Sequence, residues 1–373
     1  LERAERIRHS NSLAVAAHQG RKNNFNLLRV AAAAAVLVSH CYPIAYGPAA
    51  VEPLSNLLGI TLGHLAVLIF FIISGFFVSQ SFARSAGLTD FVAARVLRLY
   101  PALIVVSLVT IAVIGPITTQ LPIEAYFSES STFFYLPRSL SLKWLQDGLP
   151  GVFLANPFPV AVNGSLWTLF YEVVCYAGAA TVAAYIRDST RRASFCFVAI
   201  AAGYLALSLL DFHYGLSGRS SALRNFQDLV PAFVAGMIFF HYRKLITLRW
   251  TYCLMLGVPV LVLSQTALFQ SAFLVFLSYV VFLIGFNAFP FLHSYNQVGD
   301  YSYGTYVYAF PIQQAVASVL PGISPFGLFC VAAPIVAGLS VASWHLVEEP
   351  ALRSRVYLRA RLGRPRMQVE SGA

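Results

Sequence analysis

The chain has 373 residues, of which 58% are hydrophobic and only 11% charged. Soluble domains carry about 25% charged residues, so the composition excludes a soluble globular protein and points to a helical membrane protein. The formal net charge of +10 does not make it a nucleic-acid binder. The basic residues sit in short loops and at the two ends, where the positive-inside rule places them, and no soluble stretch is large enough to present a groove.

Long apolar runs recur along nearly the whole length, separated by short polar stretches. Lipid demands that every backbone polar group be satisfied within its own segment, so runs of about 17–25 residues read as helices. The pattern predicts an all-α polytopic membrane helix bundle of about ten transmembrane helices. They fall near 27–47, 65–83, 99–119, 166–186, 194–211, 226–242, 250–265, 268–289, 301–320 and 326–347. The alternation of a porin-type barrel is missing. Residues 1–21 read as a cytoplasmic tail, 22–355 as the membrane domain and 356–373 as a basic cytoplasmic tail.

The first run holds Arg29 and His40. At 3.6 residues per turn they share one helix face, about 16 Å apart along the axis. Ionisable groups in a span are costly and by default mark a pathway or a reaction centre. The second run carries Ser74-Gly75, a pair that permits close helix packing. Arg95 and Arg98 open the third run. Three apart, they neighbour each other on the helix surface and read either as snorkelling anchors or as a clamp for a phosphorylated ligand.

Between Gln120 and Ser165 lies the longest non-membrane stretch. Its aromatics suit a membrane-interface belt or stacking on sugar faces, and pieces of it suit interfacial helices. Asn163-Gly164-Ser165 matches a glycosylation sequon, taken here as chance because it stands at the entrance to a span. Glu172 lies two turns inside the fourth run, where an ionised carboxylate needs a partner. His40 is one candidate partner, and a structural ion pair is the plainer reading. The seventh and eighth runs are separated by little more than Ser264-Gln265-Thr266 and read as a tight hairpin. A hydroxyl-rich stretch, Asp300 to Tyr308, opens the ninth, and Glu348-Glu349-Pro350 closes the tenth.

Charge sets the orientation. With the N-terminus in the cytoplasm, the inside segments hold Arg21, Lys22, Arg84, Arg95, Arg98, Arg187, Arg191, Arg192, Arg243, Lys244, Arg249 and the C-terminal arginines. The outside segments hold only Arg138, Lys143, Arg219 and Arg224. That asymmetry predicts N-in and C-in ends and an even number of spans. The five cysteines stand in apolar stretches without metal-ligand spacing, and read as small buried hydrophobes.

Taken in order, these clusters resemble the acyltransferase 3 family of integral membrane acyltransferases. Arg29 and His40, with ten residues between them, are similar to its arginine-ten-histidine signature. Phe70 to Phe76 resembles Phe-Phe-x-x-Ser-Gly-Phe, Arg95 to Pro101 resembles Arg-x-x-Arg-x-x-Pro, and Ser165 to Glu172 resembles Ser-Leu-Trp-x-Leu-x-x-Glu. Ser302 to Tyr306 with Pro311, and Val347 to Pro350, resemble the closing motifs. The sequence departs from the pattern in two places: Leu68 and Ile69 fill the stretch where an acidic residue is usual, and Ala309 stands where a histidine is frequent.

The resemblance implies a multi-pass protein of the bacterial inner membrane. It would move an acyl group, usually acetyl, from cytoplasmic acetyl-CoA or another acyl-CoA to a hydroxyl of a glycan or glycolipid outside. The acyl-CoA is a substrate; no bound cofactor and no metal are implied. His40 suits the general base, since imidazole titrates near neutrality, and Glu172 would orient it or stabilise the imidazolium. Arg29, Arg95 and Arg98 suit the phosphates of the donor. Ser74, Tyr303 and Trp167 are candidates for substrate contact. The partners implied are acyl-CoA, the glycan acceptor and membrane lipid, with no nucleic acid; a homodimer stays open. The rival class is a secondary transporter or flippase, which also uses buried ionisable groups but is often built from two matching halves; none are visible here.

Overall fold

A computed structural model describes residues 13–14, 22–186, 189–266, 268–286 and 290–361. Most of the expected amino-terminal tail and the carboxy-terminal tail beyond 361 lie outside these. The helices that matter are α1 (Phe25–Tyr46), α2 (Leu62–Ala83), α3 (Leu88–Val109), α4 (Trp167–Ile186), α5 (Thr190–Tyr214), α6 (Ser221–His241), α7 (Trp250–Val262), α8 (Phe269–Phe286), α9 (Ser302–Val319), α10 (Pro325–Ser343) and α11 (Glu349–Arg361). No strand occurs among the described residues, so the all-α polytopic expectation holds.

Seven of the described helices are long and apolar enough to cross a membrane: α1 to α5, α8 and α10, with α3 and α10 each continuing into adjoining helical turns. Helices α6, α7 and α9 stand where three further spans were expected. Helix α7 is a shorter apolar helix of 13 residues, α6 carries Arg224 and Asp228, and α9 is rich in hydroxyls and amides. Helices α7 and α8 pack on each other, the hairpin that the short polar break predicts.

The chain divides into two compact units. The first comprises the described residues of Leu1–Val36, Pro53–Gln80 and Thr168–Ser302. Its helices approach closely where glycine allows. A Cβ on Gly75 of α2 would lie 1.9 Å from the Phe233 carbonyl oxygen, and one on Gly236 of α6 would lie 2.1 Å from that of Ile72. The packing expected of Ser74-Gly75 is therefore met. An aromatic cluster fills the space beside this crossing: Phe25 meets Phe77 and Phe286 edge to face, at 4.8 and 4.7 Å between ring centroids. Leu13, on the expected solvated tail, is fully buried, and its N–H donates to the Ile246 carbonyl at 2.9 Å.

The second unit comprises the described residues of Leu37–Glu52, Ser81–Trp167 and Tyr303–Ala373. One core joins the end of α1 to α9 and α10 through Leu37, Cys41, Phe310, Leu328 and Val336. A second core lies under the long polar stretch, where Tyr126, Tyr135, Val152 and Phe153 pack with Ile111 and Ile114. Past Val109 the backbone widens into a π-turn, Thr110–Ile114, whose Ile111 carbonyl accepts a hydrogen bond from the Tyr126 hydroxyl at 2.9 Å. Two short helices, Ile123–Ser128 and Ser130–Ser141, build the stretch itself. At the other end Arg355 of α11 grips the buried Asp90 with two nitrogens, at 2.9 and 3.1 Å. Of the cysteines, Cys41, Cys175 and Cys253 are buried, Cys196 is partly so and Cys330 is exposed. Cys330 departs from the expectation because its helix turns that residue away from the core.

Candidate active site

His40 sits on the last third of α1, in the second unit. Its ring meets Phe310 of α9 edge to face, 5.2 Å between centroids and 78° between planes. Its Nδ1 is buried and has no hydrogen-bond partner among the described residues. One residue earlier, the Ser39 hydroxyl donates to the Glu52 carboxylate. One residue later, Cys41 Sγ receives a hydrogen bond from Gln313 Nε2 at 2.9 Å, and the same nitrogen donates to the Leu37 carbonyl at 2.8 Å. Gln313 is fully buried and its Oε1 has no hydrogen-bond partner among the described residues. The imidazole is thus held by neighbours that grip the helix on both sides of it, while its own nitrogen stays uncommitted to protein.

The stretch before α4 is tied to α9 by a series of hydrogen bonds. Tyr306 donates its hydroxyl to the Ser165 carbonyl at 2.8 Å, and Asn163 Nδ2 donates to the Val307 carbonyl at 2.9 Å. The sequon asparagine thus has a structural role. Gln314 Nε2 donates to the carbonyls of Phe158 and Ala161, and Asn156 Nδ2 donates to Gln314 Oε1. Two adjacent glutamines therefore divide their work: Gln313 holds α1 and Gln314 holds the segment leading to Trp167. Trp167 itself is partly exposed and lines an open cleft.

The predicted arginines all have partners. In the first unit Arg29 Nη1 pairs with Asp300 Oδ2 at 3.2 Å and its guanidinium lies over the Phe77 ring. Asp300 uses its other oxygen to accept from the Ser302 backbone N–H and hydroxyl, which fixes the start of α9. In the second unit Arg95 Nη2 donates to Ser81 Oγ at 3.2 Å and lies over Phe91. Arg98 Nη1 pairs with Glu348 Oε2 at 3.3 Å and lies over Tyr303 and Trp344. The Tyr303 hydroxyl donates to the Leu99 carbonyl at 2.8 Å.

Glu172, in the first unit, accepts hydrogen bonds from the Tyr176 hydroxyl and, at 3.4 Å, from Ser74 Oγ. The structure therefore brings Glu172 together with Ser74, and Arg98 together with Tyr303. Sequence reasoning missed Phe310, Gln313, Gln314, Asn156 and Glu52 as neighbours of this chemistry. The glutamine pair carried a usable signal, since two amides inside an apolar helix must find partners there. Glu52 carried none.

A helical membrane bundle with an imidazole Nδ1 that has no hydrogen-bond partner among the described residues, and with arginines fixed by ion pairs and rings, defines a multi-pass membrane protein with the groups for acid–base chemistry. The comparisons name its kind. The chain matches the acyltransferase 3 family model, described as an acyltransferase domain, over residues 22–345, and it belongs to that family. It is 30% identical to the O-acetyl transferase of Shigella phage Sf6 over 343 residues, covering 88% of this chain and 96% of that protein. It is 26% identical to nodulation protein 10 of Rhizobium leguminosarum bv. viciae over 375 aligned positions, covering 92% and 96%. No solved structure matches. The family resemblance read from the motifs is borne out, and the chain is a membrane acyltransferase.

Proposed function

We propose that the enzyme transfers an acetyl group from cytoplasmic acetyl-CoA, or another acyl group from its thioester, to a hydroxyl of an extracytoplasmic glycan or glycolipid. It does so across the bacterial inner membrane, with His40 as general base. The observation that carries this reading is the buried His40 Nδ1 with no hydrogen-bond partner among the described residues, on a ring packed against Phe310 and a helix turn that Gln313 clamps. A nitrogen already engaged by protein would have to break that bond before taking a proton. The name of the phage relative, an O-acetyl transferase, supports acetyl as the group.

In the reaction the imidazole takes the proton of the acceptor hydroxyl as its oxygen attacks the thioester carbonyl. The tetrahedral intermediate carries its negative charge on the former carbonyl oxygen. Its collapse re-forms the carbonyl, breaks the carbon–sulfur bond and releases the thiolate of CoA, which takes the proton back from the imidazolium. The thioester is already activated, so no acyl-enzyme is required. Arg29, Arg95 and Arg98 carry fixed charge suited to the donor's phosphates, and their contacts with Asp300, Ser81 and Glu348 set the planes of the guanidinium groups. Glu172, the other residue expected to take part in catalysis, has its carboxylate shared by Ser74 and Tyr176.

The test is His40→Ala in membranes supplied with labelled acetyl-CoA and surface glycan extracted from the host cells. Transfer to glycan should fall at least about a hundredfold with protein level and membrane insertion unchanged. Turnover near that of the native chain would refute the base assignment.

A further inference from the structure

A cleft of about 420 Å³ opens within the second unit between residues 145–147 and 158–167. That volume falls in the range of small-molecule sites, enough for a sugar unit. Trp167 and Phe158 give it aromatic walls, and Asp147 stands among its lining residues. The Asp147 side chain is exposed and makes no hydrogen bond or ion pair to the described residues. An aromatic face covers the C–H side of a sugar ring, and a carboxylate accepts from two neighbouring hydroxyls.

The wall is built, not slack. Val160 holds φ at 70° and Phe153 at 57°, and the Val160 N–H donates to the Phe153 carbonyl at 3.4 Å. A β-branched residue with positive φ is a genuine outlier, and such strain persists where surrounding structure enforces it, often at ligand sites. The enforcing contacts are present. The Val162 N–H donates to the Asp147 carbonyl at 2.7 Å, and Gln146 Nε2 donates to the Ser131 and Gly148 carbonyls.

The cleft also backs onto the candidate base. Phe158 and Gly164, both in its lining, touch Phe310: the two phenyl centroids are 5.8 Å apart, and a Cβ on Gly164 would lie 2.8 Å from the Phe310 ring. The same ring meets His40. One aromatic ring therefore stands between the cleft lining and the imidazole.

We propose that this cleft is the acceptor subsite. It takes one uncharged, hydroxyl-rich sugar unit, with Asp147 accepting from its hydroxyls and Trp167 covering its apolar face, beside the Phe310 ring that packs on both the cleft lining and His40. Asp147 disfavours sugars bearing a carboxylate or phosphate at that position. This rests on the acyl-transfer reading above, and the experiment separates the two. Val160→Cys, in a Cys330→Ser background that removes the exposed native thiol, is labelled in membranes with a water-soluble maleimide. The probe is surface polysaccharide extracted from the host cells and chemically de-O-acetylated. Cys330→Ser membranes are assayed in parallel for acetyl transfer from labelled acetyl-CoA to the same polysaccharide.

The polysaccharide should slow labelling several-fold while acetyl-CoA alone does not. Asp147→Asn should raise both the half-protecting concentration and the acceptor KM about tenfold, the loss of one hydrogen bond to a charged group, and leave the acetyl-CoA KM unchanged. Transfer without protection, or an unaltered acceptor KM in Asp147→Asn, overturns the subsite. Protection without transfer keeps the subsite and overturns acyl transfer; neither protection nor transfer overturns both.

Discussion

Arg98 and Glu348, 250 residues apart in the chain, form an ion pair with 3.3 Å between Nη1 and Oε2, and the Glu348 side chain is 1% exposed. The other carboxylate oxygen accepts from Ser343 Oγ at 3.0 Å. One of the two arginines of α3 proposed to meet the donor's phosphates is thus anchored to the π-turn, Trp344–Glu348, that follows α10.

Removing one partner of a buried pair leaves an uncompensated charge. Glu348→Gln should therefore destabilise the protein by about 3 kcal/mol, seen as a lower midpoint of thermal unfolding in detergent. Replacing both partners, Arg98→Met with Glu348→Leu, should recover most of that loss, because well-packed apolar residues can substitute for a buried pair. If Arg98 also binds donor phosphate, the double variant regains stability and still shows a raised acetyl-CoA KM. A double variant with native KM would leave Arg98 a purely structural role.

Glu172 offers a cleaner separation of charge from shape. Its carboxylate is shared by Tyr176 and Ser74, and Glu172→Gln keeps an oxygen to accept from both while losing the charge. If the carboxylate works in proton transfer, kcat should fall about a hundredfold with the unfolding midpoint little changed. Ser74→Ala, which removes only the longer of the two hydrogen bonds, should cost far less. Full activity in Glu172→Gln would make the carboxylate a packing acceptor.

The helices and the family were legible in the sequence because both are written locally. Apolar runs follow from the lack of water in lipid, and each motif spans only a few neighbouring residues. The partners of the charged groups were not legible. Arg29 meets Asp300 and Arg98 meets Glu348 across more than 240 residues, and helical periodicity reports only which residues share a face. Asp300 and Glu348 stood out as clusters, yet nothing in their spacing named the arginines they hold. Gln313 and Gln314 show the same limit: adjacent in sequence, they serve different parts of the structure. Helix α9 failed the apolarity expected of a span for a related reason, since its polar side chains are satisfied by α1 and by the long stretch before α4.

The crossing of α2 and α6 should be intolerant of a single methyl group. Gly75→Ala and Gly236→Ala would each drive a Cβ to about 2 Å from a backbone carbonyl of the facing helix, and a carbonyl in a packed helix cannot swing away. Overpacking of this kind costs about 1–3 kcal/mol, and the backbone contact places both variants at the upper end. Thermal unfolding of each against the native chain checks this. Gly178→Ala in α4, where a Cβ would meet nothing within 4 Å among the described residues, serves as the control and should hold the midpoint or raise it slightly, because Ala is the better helix former.

Glu52 gives the fold a pH dependence of predictable sign. It lies in the loop after α1. Burial pushes its carboxyl above the usual carboxylate range, and the hydrogen bond from Ser39 opposes that shift. A carboxyl with a raised pKa in the folded state binds its proton more tightly folded than unfolded. Its contribution is therefore most favourable at low pH and declines as pH rises from the ordinary glutamate value, about 4, through the raised one. Glu52→Gln has no proton to lose and can still accept from Ser39. The midpoint of the variant minus that of the native chain should climb across this window and then level off. A flat difference, or one that falls with pH, would show that burial does not govern this carboxyl, and that its pairing with the residue before His40 holds the loop by charge instead.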